Sequence, residues 1–232
     1  MDPVIIGALI GAVVTPVVAW FFNKSKSEKR AKVKYVSFAI IAGIGETGKS
    51  TLIESLFTGV DAGANARTQV SSVYQYERSI PGEVNSYCRT YLFDYRGQDA
   101  SQISIYFKKE NDIGTPSAFI LVVDPCIEGN PGDNLSIDLD RINLHKSQWS
   151  ETSLSVLSGL FRDVKYACLF INKIDALSPS EIQKLNNEFK DIIDNLSTIF
   201  TGIQVEPLLG SALEGTKVSH LQEKIFETRR GI

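Results

Sequence analysis

Short apolar runs alternate with longer stretches of helical period from residue 35 to the end of the chain. The run 36–42 (VSFAIIA) predicts a buried strand, and in 49–57 the residues Leu52, Ile53, Leu56 and Phe57 share one helical face. Runs 72–80 and 86–93 predict two further strands joined by Pro81-Gly82. Proline supplies the fixed φ of a turn's second position and glycine the freedom of its third, so this pair reads as an antiparallel hairpin. Strands are also expected at 117–123, 167–171 and 203–209, each followed by a helix, over 135–162, 179–198 and 216–229. Ser178 and Pro179 mark one helix start, and the proline- and glycine-containing stretch 125–135 lengthens a loop. Alternation of this kind predicts an α/β fold, a mostly parallel six-stranded sheet with helices on both faces.

Ahead of this lies a different pattern. Residues 3–22 form a run in which Thr15 is the one conventionally polar side chain. At 1.5 Å per residue, a helix of that length reaches roughly 30 Å, the thickness of a bilayer's hydrocarbon core. Trp20, Phe21 and Phe22 crowd its end, and Lys24, Lys26, Lys29, Arg30, Lys32 and Lys34 follow at once. The expectation is one transmembrane helix preceding the sheet domain. It predicts a single-pass protein with its N-terminus outside or lumenal and its C-terminal domain cytosolic. A cleaved signal peptide would carry its charge before a shorter apolar stretch, and a core helix would need a larger domain to bury every face. Gly7 and Gly11 offer a GxxxG spacing through which two such helices pair as a dimer. The organisation read from the chain is 1–23 anchor, 24–35 basic juxtamembrane linker and 36–232 globular domain.

Charge sharpens the division. The stretch 24–34 carries a net +5, whereas the remainder, Asp2 set aside, carries −7. An acidic body gains nothing from a polyanion, because phosphate binding by counterion release needs a basic surface, so nucleic acid is excluded as a partner class. Cys88, Cys126 and Cys168 are scattered and odd in number, which suggests neither a disulfide framework nor a zinc cage.

The chemistry-bearing motifs fall at the ends of predicted strands. Gly43-Ile44-Gly45-Glu46-Thr47-Gly48-Lys49-Ser50 satisfies GxxxxGK[ST] between a predicted strand and a predicted helix. In that context backbone N–H groups turn inward around a phosphate chain, Lys49 supplies a point charge and Ser50 offers a hydroxyl to Mg²⁺. Gly43, Gly45, Glu46, Thr47, Gly48, Lys49, Ser50 and Thr51 are the candidate phosphate contacts; the bland alternative is a plain glycine-rich turn. Asp94-Tyr95-Arg96-Gly97-Gln98 ends the hairpin's second strand. There Asp94 suits magnesium, the Gly97 N–H a γ-phosphate and Gln98 an attacking water. Thr68 is the candidate second magnesium-contacting hydroxyl, and Arg67 and Arg96 are candidate cations for the transition state. Asn172-Lys173-Ile174-Asp175 follows a strand directly, where open α/β sheets bind ligands. The Asp175 carboxylate matches guanine's N1–H and 2-amino donors, which adenine lacks, although a helix-capping aspartate would look the same. Ser211-Ala212 follows the last strand, and the Ala212 N–H is the candidate partner of the guanine carbonyl.

In this order and spacing the motifs resemble the Ras-like small GTPase superfamily over 36–229. The resemblance implies a P-loop G domain that binds GTP and GDP with Mg²⁺. Gly45, Gly48, Lys49 and Ser50 then form the phosphate loop, Thr68 belongs to switch I, and Asp94, Gly97 and Gln98 belong to switch II. Asn172, Lys173, Asp175, Ser211 and Ala212 line the guanine pocket. The stretch Arg96-Gly97-Gln98-Asp99 is similar to the GGQD of Arf and Rag-type members, and an N-terminal anchor is similar to the signal recognition particle receptor's β subunit. The implied activity is slow GTP hydrolysis with Gln98, Lys49 and Thr68 as catalytic residues, accelerated by GTPase-activating partners and reset by exchange factors, with cytosolic effectors reading the switch. Alternatives are a non-cycling GTP-binding receptor or assembly subunit, and a P-loop ATPase or nucleotide kinase, against which Asp175 argues. The chain departs from the family in ending Arg230-Gly231-Ile232 without a prenylation box, in lacking the glycine that myristoylation requires, and in placing Arg96 where a small residue is usual.

Overall fold

The computed structural model describes residues 32–57, 68–70, 73–95, 115–155 and 158–232. All six expected strands are present: β1 (Lys32–Ala42), β3 (Val73–Ser79), β4 (Ser86–Asp94), β5 (Ala118–Val123), β6 (Tyr166–Ile171) and β7 (Val205–Leu209). Two short ones join them, β2 (Thr68–Val70) and β8 (Arg230–Gly231), so the expected six-stranded sheet is corrected to eight strands. The order is β2-β3-β4-β1-β5-β6-β7, with β8 antiparallel on the early part of β1. Strands β4, β1, β5, β6 and β7 are mutually parallel, while β2–β3 and β3–β4 are antiparallel. The hairpin turns as its residues demand: the Glu83 N–H donates to Ile80 O at 3.0 Å and Gly82 sits at φ +80°.

Burial on both sides explains the continuous apolar runs in the parallel strands. On one face Ile40, Leu121, Leu169 and Ile171 pack against α2 (Leu139–Gln148), α3 (Glu151–Ser155) and α6 (Lys190–Ile199). On the other, Ile41, Ile120, Val122 and Phe170 pack against α1 (Lys49–Leu56) and α7 (Val218–Glu227). The chain leaves β1 toward β4 on one side and reaches β5 on the other, which opens a crevice at the carboxyl ends of the parallel strands.

Two long expected helices are corrected. The stretch 135–162 divides into α2, α3 and a 3₁₀ turn at Ser158–Leu160. Asp138 starts α2 late because its side chain accepts from the Arg141 N–H at 3.1 Å, an N-cap. The helix stops where Trp149 takes φ −108°, ψ 38°, a turn that leaves its side chain wholly buried. The stretch 179–198 divides into α4 (Pro179–Ile182), α5 (Leu185–Glu188) and α6. Its interruptions keep Leu185, Phe189, Ile192 and Leu196 on one buried stripe.

The membrane reading is also corrected. Among the described residues no helix is long and apolar enough to cross a membrane. The helix expected over 3–22, its GxxxG and the basic run as far as Ala31 lie outside those residues. What the structure supplies is the sheet domain without a spanning helix, and the single-pass topology, membrane partner and helix-mediated dimer are not carried forward. Lys32 to Tyr35, expected in a linker, begin β1, where the Lys32 N–H donates to Asn85 O at 3.0 Å and Tyr35 pairs with Gly231.

Candidate functional site

Every parallel strand delivers its loop to the same edge of the sheet. The Gly43–Ser50 loop leaves β1, Asp94 ends β4, Asp124 follows β5, the Asn172–Asp175 segment follows β6, and Gly210–Ala212 follow β7. Asp94 is paired in register with Ile41 and is buried at the strand end that leads into the Gly43–Ser50 loop. Within that loop Thr47 and Lys49 are buried, and Lys49 Nζ donates to Ile44 O at 2.7 Å, as does Thr47 Oγ1 at 3.1 Å. Gly45, Glu46 and Ser50 are exposed and Thr51 is half-buried. Gly48 has φ +83°, and a Cβ there would stand 2.3 Å from Asn172 Nδ2, so only glycine fits.

Asn172 joins the two ends of the site. Its Nδ2 donates to Thr47 O at 2.8 Å, and its Oδ1 accepts from the Ala212 N–H at 2.8 Å. The Ala212 N–H, expected to face a base carbonyl, is therefore engaged by Asn172, while Ser211 is buried with its Oγ accepting from the Glu214 N–H at 3.0 Å. Asp175 lies in a 3₁₀ turn (Ile174–Ala176) that the 125–138 loop clamps, the Gly132 N–H donating to Asp175 O and the Leu135 N–H to Ala176 O, both at 2.8 Å. The Asp175 Oδ1 atom is buried with no hydrogen-bond partner among the described residues. A buried orphan acceptor of this kind is costly unless a ligand satisfies it.

Lys173 reaches to the end of β5 and the loop after it. At φ +61° it sends Nζ to Asp124 Oδ2 at 2.7 Å and to Cys126 O at 3.1 Å. Asp124, wholly buried, also accepts from Arg141 Nε at 2.8 Å and contacts His145 Nε2 at 2.8 Å, and Arg141 Nη2 reaches on to Gly45 O at 2.7 Å. Burial raises the Asp124 carboxyl, but the bonds from His145, Arg141 and Lys173 outweigh it and hold the group below the ordinary carboxylate value. Sequence reasoning missed this cluster. Its signal was a polar residue closing the apolar run of β5 and an Arg/His pair four apart on the helix that follows.

Burial also lowers His145 from the ordinary 6.5, against the pull of Asp124 on its proton. The unfolded chain therefore takes up the proton first as pH falls, so this contribution to stability is complete above about pH 6.5 and declines below it. His145→Gln is expected to lose less stability than the parent between about pH 7.5 and about pH 5.5 in urea denaturation; an equal loss would show that another group titrates.

Thr68 is placed elsewhere. It pairs with Gln75, Gln75 with Tyr91, and Tyr91 with Phe38, so its backbone lies level with the middle of β1, three strand spacings away and short of the loop-bearing edge. Arg67, Arg96, Gly97 and Gln98 lie outside the described residues.

Five parallel strands extended by an antiparallel hairpin, with a glycine-rich loop after β1, define the architecture. The fold is a mixed sheet flanked by helices. Solved structures similar to it include a mutation variant of SsGBP, at 21% identity and TM-score 0.46, covering 83% of this chain and 54% of that one. The G domain of the T. maritima FeoB iron transporter is 17% identical with TM-score 0.43, covering 83% and 98%. Translation elongation factor SelB from Methanococcus maripaludis, in complex with the GTP analogue GppNHp, is 18% identical with TM-score 0.48, covering 85% and 34%. This chain thus spans about half the length of the SsGBP chain. No protein-family model and no curated protein matches it. At these identities and TM-scores the likeness assigns no residue a role.

Proposed function

We propose that this protein binds a guanine nucleotide with Mg²⁺ across the carboxyl edge of its sheet and hydrolyses GTP slowly, alternating between GTP and GDP forms. The observation that carries the reading is the buried Asp175 Oδ1, without a partner among the described residues and three residues from an asparagine that is itself bonded to the Gly43–Ser50 loop. Guanine's N1–H and 2-amino group supply the donors this carboxylate lacks; adenine would leave it orphaned. At the other end, the amides of the Gly43–Gly48 loop receive the phosphates and Lys49 exchanges Ile44 O for a phosphate oxygen.

Ser50, exposed in the first turn of α1, and Asp94, buried at the end of β4, are the residues suited to hold Mg²⁺. The ion supplies charge neutralisation between the phosphates when bound. Gly97 and Gln98 are assigned the γ-phosphate and the attacking water by their place after Asp94. Gln98 positions that water through its amide, and Lys49 stabilises the charge that develops on the phosphoryl oxygens. Hydrolysis by such sites without a partner runs at on the order of 10⁻⁴ s⁻¹.

The test is displacement of a fluorescent GDP from the full chain in the presence of Mg²⁺. GTP and GDP are expected to compete at least about 100-fold better than ATP, with phosphate released slowly from GTP. Equal competition by ATP, or no binding of either, would overturn the reading.

A further inference from the structure

Arg141 is wholly committed inside the molecule, yet one of its bonds ends on the phosphate loop. Arg141 is 5% exposed; its guanidinium is anchored by Nε on the buried Asp124 and presents Nη2 to Gly45 O at 2.7 Å. A trans peptide is planar, so its C=O and N–H point in opposite directions. Holding the Gly45 carbonyl against Arg141 therefore turns the Glu46 N–H to the other side of the loop strand. Glu46 meanwhile sits at φ +67°, a conformation unfavourable for any residue bearing a Cβ. Rotating the Gly45–Glu46 peptide about its flanking bonds would relieve that φ, and the same rotation would tear the Gly45 carbonyl from Arg141. The bond and the strained φ thus oppose each other at one peptide.

We infer that Arg141 is a positioning residue for phosphate binding: braced by Asp124, it keeps the Gly45–Glu46 peptide turned so that the Glu46 N–H serves the phosphates. This rests on the guanine-nucleotide reading above. Asp124 is the fixed point of the brace because Lys173, from the Asn172–Asp175 segment, and His145, one turn along α2 from Arg141, also hold it. The clamp on the phosphate loop and the lysine of the base-side segment consequently share one buried carboxylate.

The experiment is a double-mutant cycle between positions 141 and 46, read as GDP affinity of the full chain with Mg²⁺. Arg141→Met is expected to weaken GDP on the order of 30-fold, the scale of one hydrogen bond from a charged donor. Glu46→Gly removes the Cβ penalty, so in that background the same Arg141→Met change should cost less than about 5-fold. A merely structural arginine would cost the same factor in both backgrounds, and that outcome, or an undiminished affinity of Arg141→Met, overturns the inference. Should Arg141→Met leave Asp124 too poorly paired to fold, Asp124→Asn/Arg141→Met removes both halves of the pair and is run through the same cycle with the same expectation. Failure of the parent to bind GDP would instead sink the guanine-nucleotide reading, which separates the two claims.

Discussion

Asp175→Asn is expected to weaken GTP by on the order of 10²- to 10³-fold, about 3–4 kcal/mol, while XTP becomes the preferred nucleotide. The parent presents a carboxylate with one buried oxygen that no described residue satisfies. Guanine offers two donors to it. Asparagine turns one acceptor into a donor, which confronts guanine's amino group with another N–H and matches instead the oxygen that xanthine carries there. Because the change exchanges one hydrogen-bonding pattern for another in the same volume, the fold is expected to melt within a few degrees of the parent. Paired titrations of GTP and XTP against both proteins check the claim. If both nucleotides weaken together, Asp175 supports the loop and does not read the base.

Gly48→Ala should abolish tight nucleotide binding and destabilise the domain by roughly 3–5 kcal/mol. Two independent costs meet there. An L-residue at φ +83° is disfavoured by about 1–2 kcal/mol. The new Cβ would also fall 2.3 Å from Asn172 Nδ2, and that amide cannot retreat without abandoning Thr47 O and the Ala212 N–H. Each buried partner left unsatisfied costs about 1–3 kcal/mol. Adding Asn172→Ala removes the collision and leaves the φ cost, so the double variant should be less destabilised than the sum of the two singles. Urea denaturation of all four proteins tests this, and strict additivity would count against the contact.

Local constraints were legible along the chain. The turn after β1 could be read because the positive φ at Gly48 is set within the eight consecutive residues Gly43 to Ser50. Pro81-Gly82 announced its turn for the same reason. Interrupted helices were less legible, since an Asp138 cap and a buried Trp149 outweigh an apolar period that runs through both. The backbone position of Thr68 was not legible because it follows from ladder register, a pairing with Gln75 that a polar loop sequence does not reveal.

The sequence by itself therefore determined six of the eight strands and the hairpin, because each depends on residues adjacent in the chain. Only the tertiary structure decided that Asn172 grips the phosphate loop, that Lys173 turns to Asp124, and that Arg141 clamps Gly45. Those contacts span 125, 49 and 96 positions. They exist because parallel strands bring the ends of distant segments to one edge, a proximity that follows from the order in which strands pair and not from any local run of residues.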